Sequence, residues 1–243
     1  MTRIQALVDA VPPSARVVDV GADHGLISLG LAKRSDIGAV LATDISGDSL
    51  SKLTKALPQE AAGIQQKIHM TVTDGLQQLP WSSADTIVIA GMGGPLIERI
   101  LRDSLPFAKR AKTWVLSPQS GLADFRRFLQ QLAMPVEEDL LEEAGIFYPL
   151  FRVFPGCQRS PQSDYAEALS DTEAEYGPTL LRQHHPVLME QLHREQKTLS
   201  GLIQKLAGQG SPTAKKRRQE LENQCAAIRS ILKEQAEHSC DEK

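Results

Sequence analysis

The chain has 243 residues, of which 41% are hydrophobic, and a formal net charge of -3. That is ample apolar material for a packed core, and too little basic excess for a bulk polycation, so any contact with nucleic acid must rely on local patches. Three cysteines without C-x-x-C spacing exclude a disulfide framework or a zinc site.

The N-terminal stretch carries no signal-peptide core, and no apolar run approaches the ~20 residues of a membrane span. A soluble, cytoplasmic protein is expected. Ile4, Leu7, Val8 and Val11 recur at helical spacing and predict a short helix closed by Pro12-Pro13. Strand patterns follow at 16–20, 39–44, 68–73, 85–90 and 113–117, with helical patterns at 26–34, 46–57, 94–102 and 122–132. Several strands are apolar on both faces, as parallel strands covered by helices on each side must be. Such alternation predicts a doubly wound, Rossmann-like α/β sheet. Residues 134–143 and 146–154 read as two further strands, a hairpin turning at Ala144-Gly145.

Near Pro155-Gly156 the character changes, so domain boundaries are expected at 1–156 and 157–243. A polar stretch leads to Gly177-Pro178, and beyond it the chain is helical. Leu188, Leu192, Leu199, Leu202 and Leu206 fall on a and d positions of a heptad, with Glu195 interrupting one d. "GQGSP" (208–212) breaks the pattern before Leu221, Cys225, Ile228 and Leu232 resume it. The prediction is an antiparallel coiled-coil hairpin packing on itself.

The first strand ends in Gly21-Ala22-Asp23-His24-Gly25. A dinucleotide fingerprint has a glycine two residues after the first, letting the backbone approach a pyrophosphate. Asp23 stands there instead, and a poorly solvated carboxylate would repel a pyrophosphate by several kcal/mol, on the scale of Coulomb energies at intermediate dielectric. No G-K-[ST] of a P-loop follows. A phosphate-free, positively charged nucleoside such as S-adenosylmethionine suits the loop. Asp44 ends the second strand, where a carboxylate accepts ribose hydroxyls, and Asp74-Gly75 follows the third, placed for an adenine edge. Each acid could equally cap the next helix. The glycine-rich "AGMGGPLIERIL" (90–101) leaves room for a flat base, and Pro95 suits a first helical turn.

Together "DVGADHG" (19–25), "TDGL" (73–76), "IAGMGGPLI" (89–97) and Gly177-Pro178 resemble the bacterial tRNA (adenine-22-N1)-methyltransferase family over nearly the whole chain. The resemblance implies a class I methyltransferase domain, a coiled-coil second domain, and methyl transfer from S-adenosylmethionine to N1 of an adenosine in the tRNA D-arm. Carried over by position, it implies a cofactor pocket of Asp19, Gly21, Asp44, Ile45, Asp74, Gly75, Gly91 and Met92, with Asp23 as catalytic acid. Gly93, Gly94, Gln119, Arg126 and the cluster Lys215, Lys216, Arg217 and Arg218 are the substrate-side candidates. Ser117-Pro118-Gln119 departs from the family's Gln-Pro-Asn after strand five, and Asp44 replaces a Glu found in some relatives.

His24 is a candidate base, although a histidine in a polar turn is more often structural. Trp81 and Trp114 border apolar strands and suit packing better than base stacking. Arg99, Arg102, Lys109, Arg110, Lys112, Arg126 and Arg127 outnumber the nearby acids and are expected to flank the active-site rim. No metal is expected, and a monomer is. Two other readings stay open: a methyltransferase acting on another RNA or a small molecule, and a catalytically silent RNA-binding protein of the same fold.

Overall fold

The computed structural model describes residues 1–208 and 211–241, with side chains through 234. Gln209 and Gly210 of the expected helix break lie outside the described residues. The chain order begins α1 (Arg3–Ala10), β1 (Ser14–Val20), α2 (Leu26–Lys33), β2 (Ile37–Asp44), α3 (Gly47–Ala56), α4 (Ala62–Lys67) and β3 (Ile68–Val72). It continues with β4 (Thr86–Ala90), α5 (Gly94–Asp103), α6 (Leu105–Ala108), β5 (Thr113–Ser117), α7 (Leu122–Gln131), β6 (Val136–Glu143) and β7 (Ile146–Val153). Last come α8 (Asp171–Tyr176), α9 (Pro178–Arg182), α10 (Pro186–Ala207) and α11 (Pro212–Asp241).

The seven strands form one sheet in the order β3-β2-β1-β4-β5-β7-β6. The first five are parallel, and β7 runs antiparallel to both β5 and β6. Strand order therefore reverses between β1 and β4, and sheets of this kind bind ligands outside the carboxyl ends of the strands at that switch point. Alternate side chains feed two cores. Ile87, Ile89 and Leu116 join Ile97, Ile100, Phe125 and Phe128 beneath α5 and α7. Val88, Ala90 and Val115 join Leu7, Val8, Leu31 and Leu53 beneath α1, α2 and α3. Burial on both faces is why these strands read as near-continuous apolar runs.

Two compact units divide the chain, Met1–Glu175 and Tyr176–Lys243. The polar stretch after residue 156 thus belongs with the sheet: Tyr165 is fully buried in its core and donates to Glu138 Oε2 at 2.9 Å. In the second unit α10 and α11 pack on each other through Leu192, Leu199, Leu221, Cys225 and Ile228. Leu202, expected on the apolar seam, is 42% exposed, and Ile203 is the more covered of the two. Glu195, the acid that breaks the heptad, accepts from Gln224 Nε2 at 2.8 Å and from the Tyr176 hydroxyl at 3.2 Å. A polar residue on the seam that finds a cross-helix partner fixes register at some cost in stability. Among the described residues no helix is long and apolar enough to cross a membrane.

Candidate functional site

The turns that follow β1, β2, β3 and β4 converge on one pocket, lined by Val20, Gly21, Asp44, Ile45, Thr73, Asp74, Gly75, Met92, Leu96, Arg99 and Ile100. Six of the residues expected at a cofactor are among them: Gly21, Asp44, Ile45, Asp74, Gly75 and Met92. Gly21 has φ +73°, and a Cβ there would lie 2.0 Å from Met92 Cε. The positive φ favours glycine here, and the missing Cβ leaves room for the end of the flexible Met92 side chain.

Asp44 does not cap α3; Ser46 does, accepting from the Asp48 N–H at 3.2 Å. The Asp44 carboxylate instead receives the Ser46 N–H on Oδ1 (3.0 Å) and the Asp23 N–H on Oδ2 (3.3 Å). Each oxygen keeps lone-pair capacity toward the pocket, which a vicinal diol can use. Asp74 meets Arg99 Nη2 at 3.3 Å. Ile45 and Leu96 are 69% and 39% exposed although large and apolar. Two such side chains lining one polar-rimmed pocket make a surface that a flat base would cover.

Asp19 lies beneath the pocket, 1% exposed, with the Ser28 hydroxyl donating to its Oδ2 at 2.6 Å. Burial pushes its carboxyl up to about 6, against the pull of the Ser28 hydrogen bonds. It holds the first loop on α2 and does not line the pocket.

Asp23 sits at φ 42°, a left-handed conformation that Asp tolerates better than most residues. It does not cap α2 either: Gly25 occupies the N-cap, without a side-chain cap bond. Its exposed carboxylate faces His24 Nε2 at 3.3 Å and Lys52 Nζ at 3.7 Å. Lys52 Nζ lies 2.8 Å from the same His24 nitrogen. An ammonium can only donate, so Nε2 accepts from it and its lone pair is engaged.

Other expected positions fall differently. Gly94 is buried with its N–H donating to the Ser120 carbonyl (2.8 Å), so it ties the turns after β4 and β5 together and is closed to substrate. Gly93 is the N-cap of α5 and Pro95 lies in its first turn, while Gly91 and Gln119 are exposed. Arg126 is a correction: it is 2% exposed, pairs with Glu138 (Nε–Oε1 2.7 Å) and donates to the Ala174 and Glu175 carbonyls. With its donors spent inside the fold it cannot meet a substrate phosphate. Burial pushes the Glu138 carboxyl up, and the Arg126 guanidinium opposes that.

Of the expected rim cations Arg99 does line the pocket, paired with Asp74, but others fall elsewhere. Lys112 precedes β5 and pairs with Asp85, which precedes β4, so this pair marks the amino-terminal edge, opposite the pocket. Arg102 pairs with Glu98 and lies over Phe128, and Arg127 pairs with Asp124 and Asp171. Trp114 is fully buried with its indole N–H on the Ala108 carbonyl, and Trp81 packs edge-on against His69. On α11, Arg217 and Arg218 pair with Glu220 and Glu222; Lys215 and Lys216 are exposed. Val20, Thr73, Leu96 and Ile100 were the pocket residues missed, while Arg99 was expected only at the rim. Leu96 carried a signal, as an apolar residue two positions after the turn glycines.

A doubly wound sheet with an acid after each of β2 and β3, an apolar slot between them and no phosphate loop defines an α/β nucleoside-binding domain of the class I methyltransferase type. The chain belongs to the methyltransferase-domain family, whose model matches residues 1–151. It is 29% identical over 149 residues to the tRNA (adenine(22)-N(1))-methyltransferase of Bacillus subtilis, covering 60% of this chain and 61% of that one. In sequence, then, the chain spans about three-fifths of the length of that curated relative. A Streptococcus pneumoniae structure assigned to the tRNA (m1A22) methyltransferases matches with TM-score 0.79 and 27% identity, over 96% of this chain and 99% of that one. The same protein in complex with S-adenosyl-L-methionine matches with TM-score 0.75 and 26% identity, over 95% and 98%.

Proposed function

We propose that the protein is a cytoplasmic, S-adenosylmethionine-dependent tRNA (adenine-22-N1)-methyltransferase. The observation that carries this reading is the pocket at the switch point, where Asp44 and Asp74 flank exposed Ile45 and Leu96. That donor set suits a cationic nucleoside: Asp44 for the ribose, Asp74 with Gly75 at the base, Gly21 and Met92 along the remainder. Bound there, the cofactor supplies an electrophilic methyl group. The position of the methylated base, adenosine 22, and the choice of tRNA rest on the B. subtilis and S. pneumoniae proteins' names together with their likeness to this chain.

The chain's own residues supply the rest. N1 of adenine is a weak base whose methylation leaves a cation. Asp23, exposed beside the pocket, hydrogen-bonds the N6 amino group, raises the nucleophilicity of N1 and stabilises the charge that develops. Lys52 orients that carboxylate. Gly91, Gly93 and Gln119 border the base, and the exposed charges at the start of α11 meet the tRNA backbone as one arm of a coiled-coil hairpin. The protein works as a monomer.

The test is transfer of radiolabelled methyl from S-adenosylmethionine to unmodified tRNA, with nucleoside mass spectrometry of the product and an A22→G transcript as control. Label on N1 of adenosine that vanishes in the control supports the reading. Label on ribosomal RNA alone, or on neither RNA, overturns it.

A further inference from the structure

The acids of the site lie on one side of it, at the ends of β1, β2 and β3. Across the switch point the carboxyl edge carries the opposite charge. Arg3, the first residue of α1, brings its Nη2 to 3.7 Å of where a Cβ would stand on Gly91, in the turn after β4. Its guanidinium lies over the ring of Tyr148 in β7, 4.7 Å from the centroid. The last pair of the antiparallel ladder is Leu116 with Phe151, and Tyr148 and Gln119 each follow three residues farther out in the same direction. The Gln119 N–H in turn donates to the carbonyl of Met92, which lines the cofactor pocket (2.8 Å). Arg3 therefore stands on the methyl-accepting side of the site.

Its chemistry is incomplete. Nε is buried with no hydrogen-bond partner, and the guanidinium makes no ion pair among the described residues. A half-buried cation without a counter-charge costs free energy, which an anionic ligand would recover. An arginine over an aromatic ring keeps its two terminal Nη groups for a ligand, and their N–H bonds can grip a phosphate in parallel. Gly91 is exposed at φ +82°, so the approach past it is open.

We propose that Arg3, held over Tyr148, is the phosphate clamp that seats the target nucleotide against the cofactor pocket. This rests on the reading of the site as an RNA methyltransferase. Its ligand is a backbone phosphate adjoining the methylated adenosine. Acids gather where the cationic cofactor binds, and Arg3 places a cation where the anionic strand enters.

The test compares Arg3→Gln, Arg3→Lys, Tyr148→Phe and Tyr148→Leu in the full chain, each checked by thermal melt. It measures tRNA affinity against salt concentration, single-turnover methyl transfer, and S-adenosylmethionine affinity by calorimetry. Arg3→Gln is expected to weaken tRNA binding about tenfold and to flatten the log–log salt slope by about one, with cofactor affinity unchanged. Arg3→Lys keeps the slope but loses rate, because a point charge lacks the planar fork. Tyr148→Phe behaves as the parent, and Tyr148→Leu loses affinity. Parental slope and rate in Arg3→Gln would reduce Arg3 to an anchor for α1 and overturn the proposal while leaving the methyltransferase reading intact. A parent protein that binds cofactor but neither binds nor methylates tRNA overturns both.

Discussion

Asp44 holds Asp23: the carboxylate that ends β2 accepts the backbone N–H of the residue that would act on the target base, 3.3 Å away. On the proposed function, one side chain serves both the cofactor's ribose and the loop that presents Asp23. Asp44→Ala is expected to cost about 1–3 kcal/mol of S-adenosylmethionine binding, the scale of hydrogen bonds to a charged group. Turnover at saturating cofactor should fall as well, because Asp23 loses its tether, although Gly21 and Ala22 stay bonded to the Thr43 carbonyl. Calorimetry paired with single-turnover rates separates the two effects. Weaker binding with an unchanged rate would leave Asp44 as a ribose ligand alone.

Asp19 makes stability depend on pH. Its folded carboxyl sits at about 6, above the ordinary 3.8, so between those values the folded state binds more protons than the unfolded one. The stability it contributes is complete below about pH 4 and is lost as pH rises through about 6. A shift of about 2 units corresponds to about 3 kcal/mol. Asp19→Asn cannot ionise, and its amide oxygen can still accept from Ser28. Denaturant titrations should therefore show the variant gaining on the parent by up to about 3 kcal/mol between pH 4 and 7. A difference that stays flat across that window would mean Asp19 titrates normally.

Arg126 and Glu138 form a buried pair, with side chains 2% and 0% exposed. Removing one partner of such a pair typically costs about 3–5 kcal/mol, because the other charge is left buried and uncompensated. Arg126→Ala should lower the urea midpoint accordingly, while activity per folded molecule stays near the parent's. A stable variant with impaired tRNA binding would restore Arg126 to the substrate side.

The strand ends were legible because their signals are local. "DVGADHG" and "AGMGG" spell turns whose carboxyl-edge position follows from alternating strands and helices, and Asp44 and Asp74 then share a pocket by topology alone. Arg126 was misread for the opposite reason. Its partner Glu138 lies on a later strand, and Tyr165, which donates to the same carboxylate, lies in a polar stretch that reads as a linker, so nothing near Arg126 in sequence announces burial. Lys112 was placed at the wrong edge because charge counting ignores which end of a strand a residue begins. In the hairpin, the heptad located α10 and α11 but put Leu202 on the seam. Propensity and period fix a helix; the partner helix decides which side is covered.

The basic cluster at the start of α11 divides into two kinds of charge. Arg217 and Arg218 are already paired with Glu220 and Glu222, whereas Lys215 and Lys216 are exposed. Neutralising Lys215 and Lys216 to Gln should flatten the salt dependence of tRNA binding more than the same change at the arginines, with cofactor affinity unaltered. Filter binding across a salt series reads this directly. Equal and parental slopes in both variants would assign the cluster to solubility.

Asp23→Asn separates chemistry from architecture. Gly25 is the N-cap of α2, so the Asp23 side chain caps nothing. Asn tolerates the left-handed conformation at φ 42° as readily as Asp does. The carboxylate is exposed, and surface changes of this kind usually stay within about 0.5 kcal/mol of stability. The variant should therefore fold, bind cofactor and bind tRNA as the parent does. Its amide cannot accept a proton or carry the charge that stabilises a methylated adenine. Single-turnover transfer at saturating cofactor should drop by about 10²-fold or more, the scale of a lost general base. A near-parental rate would show that Lys52, and not the substrate, is the partner for which Asp23 is there.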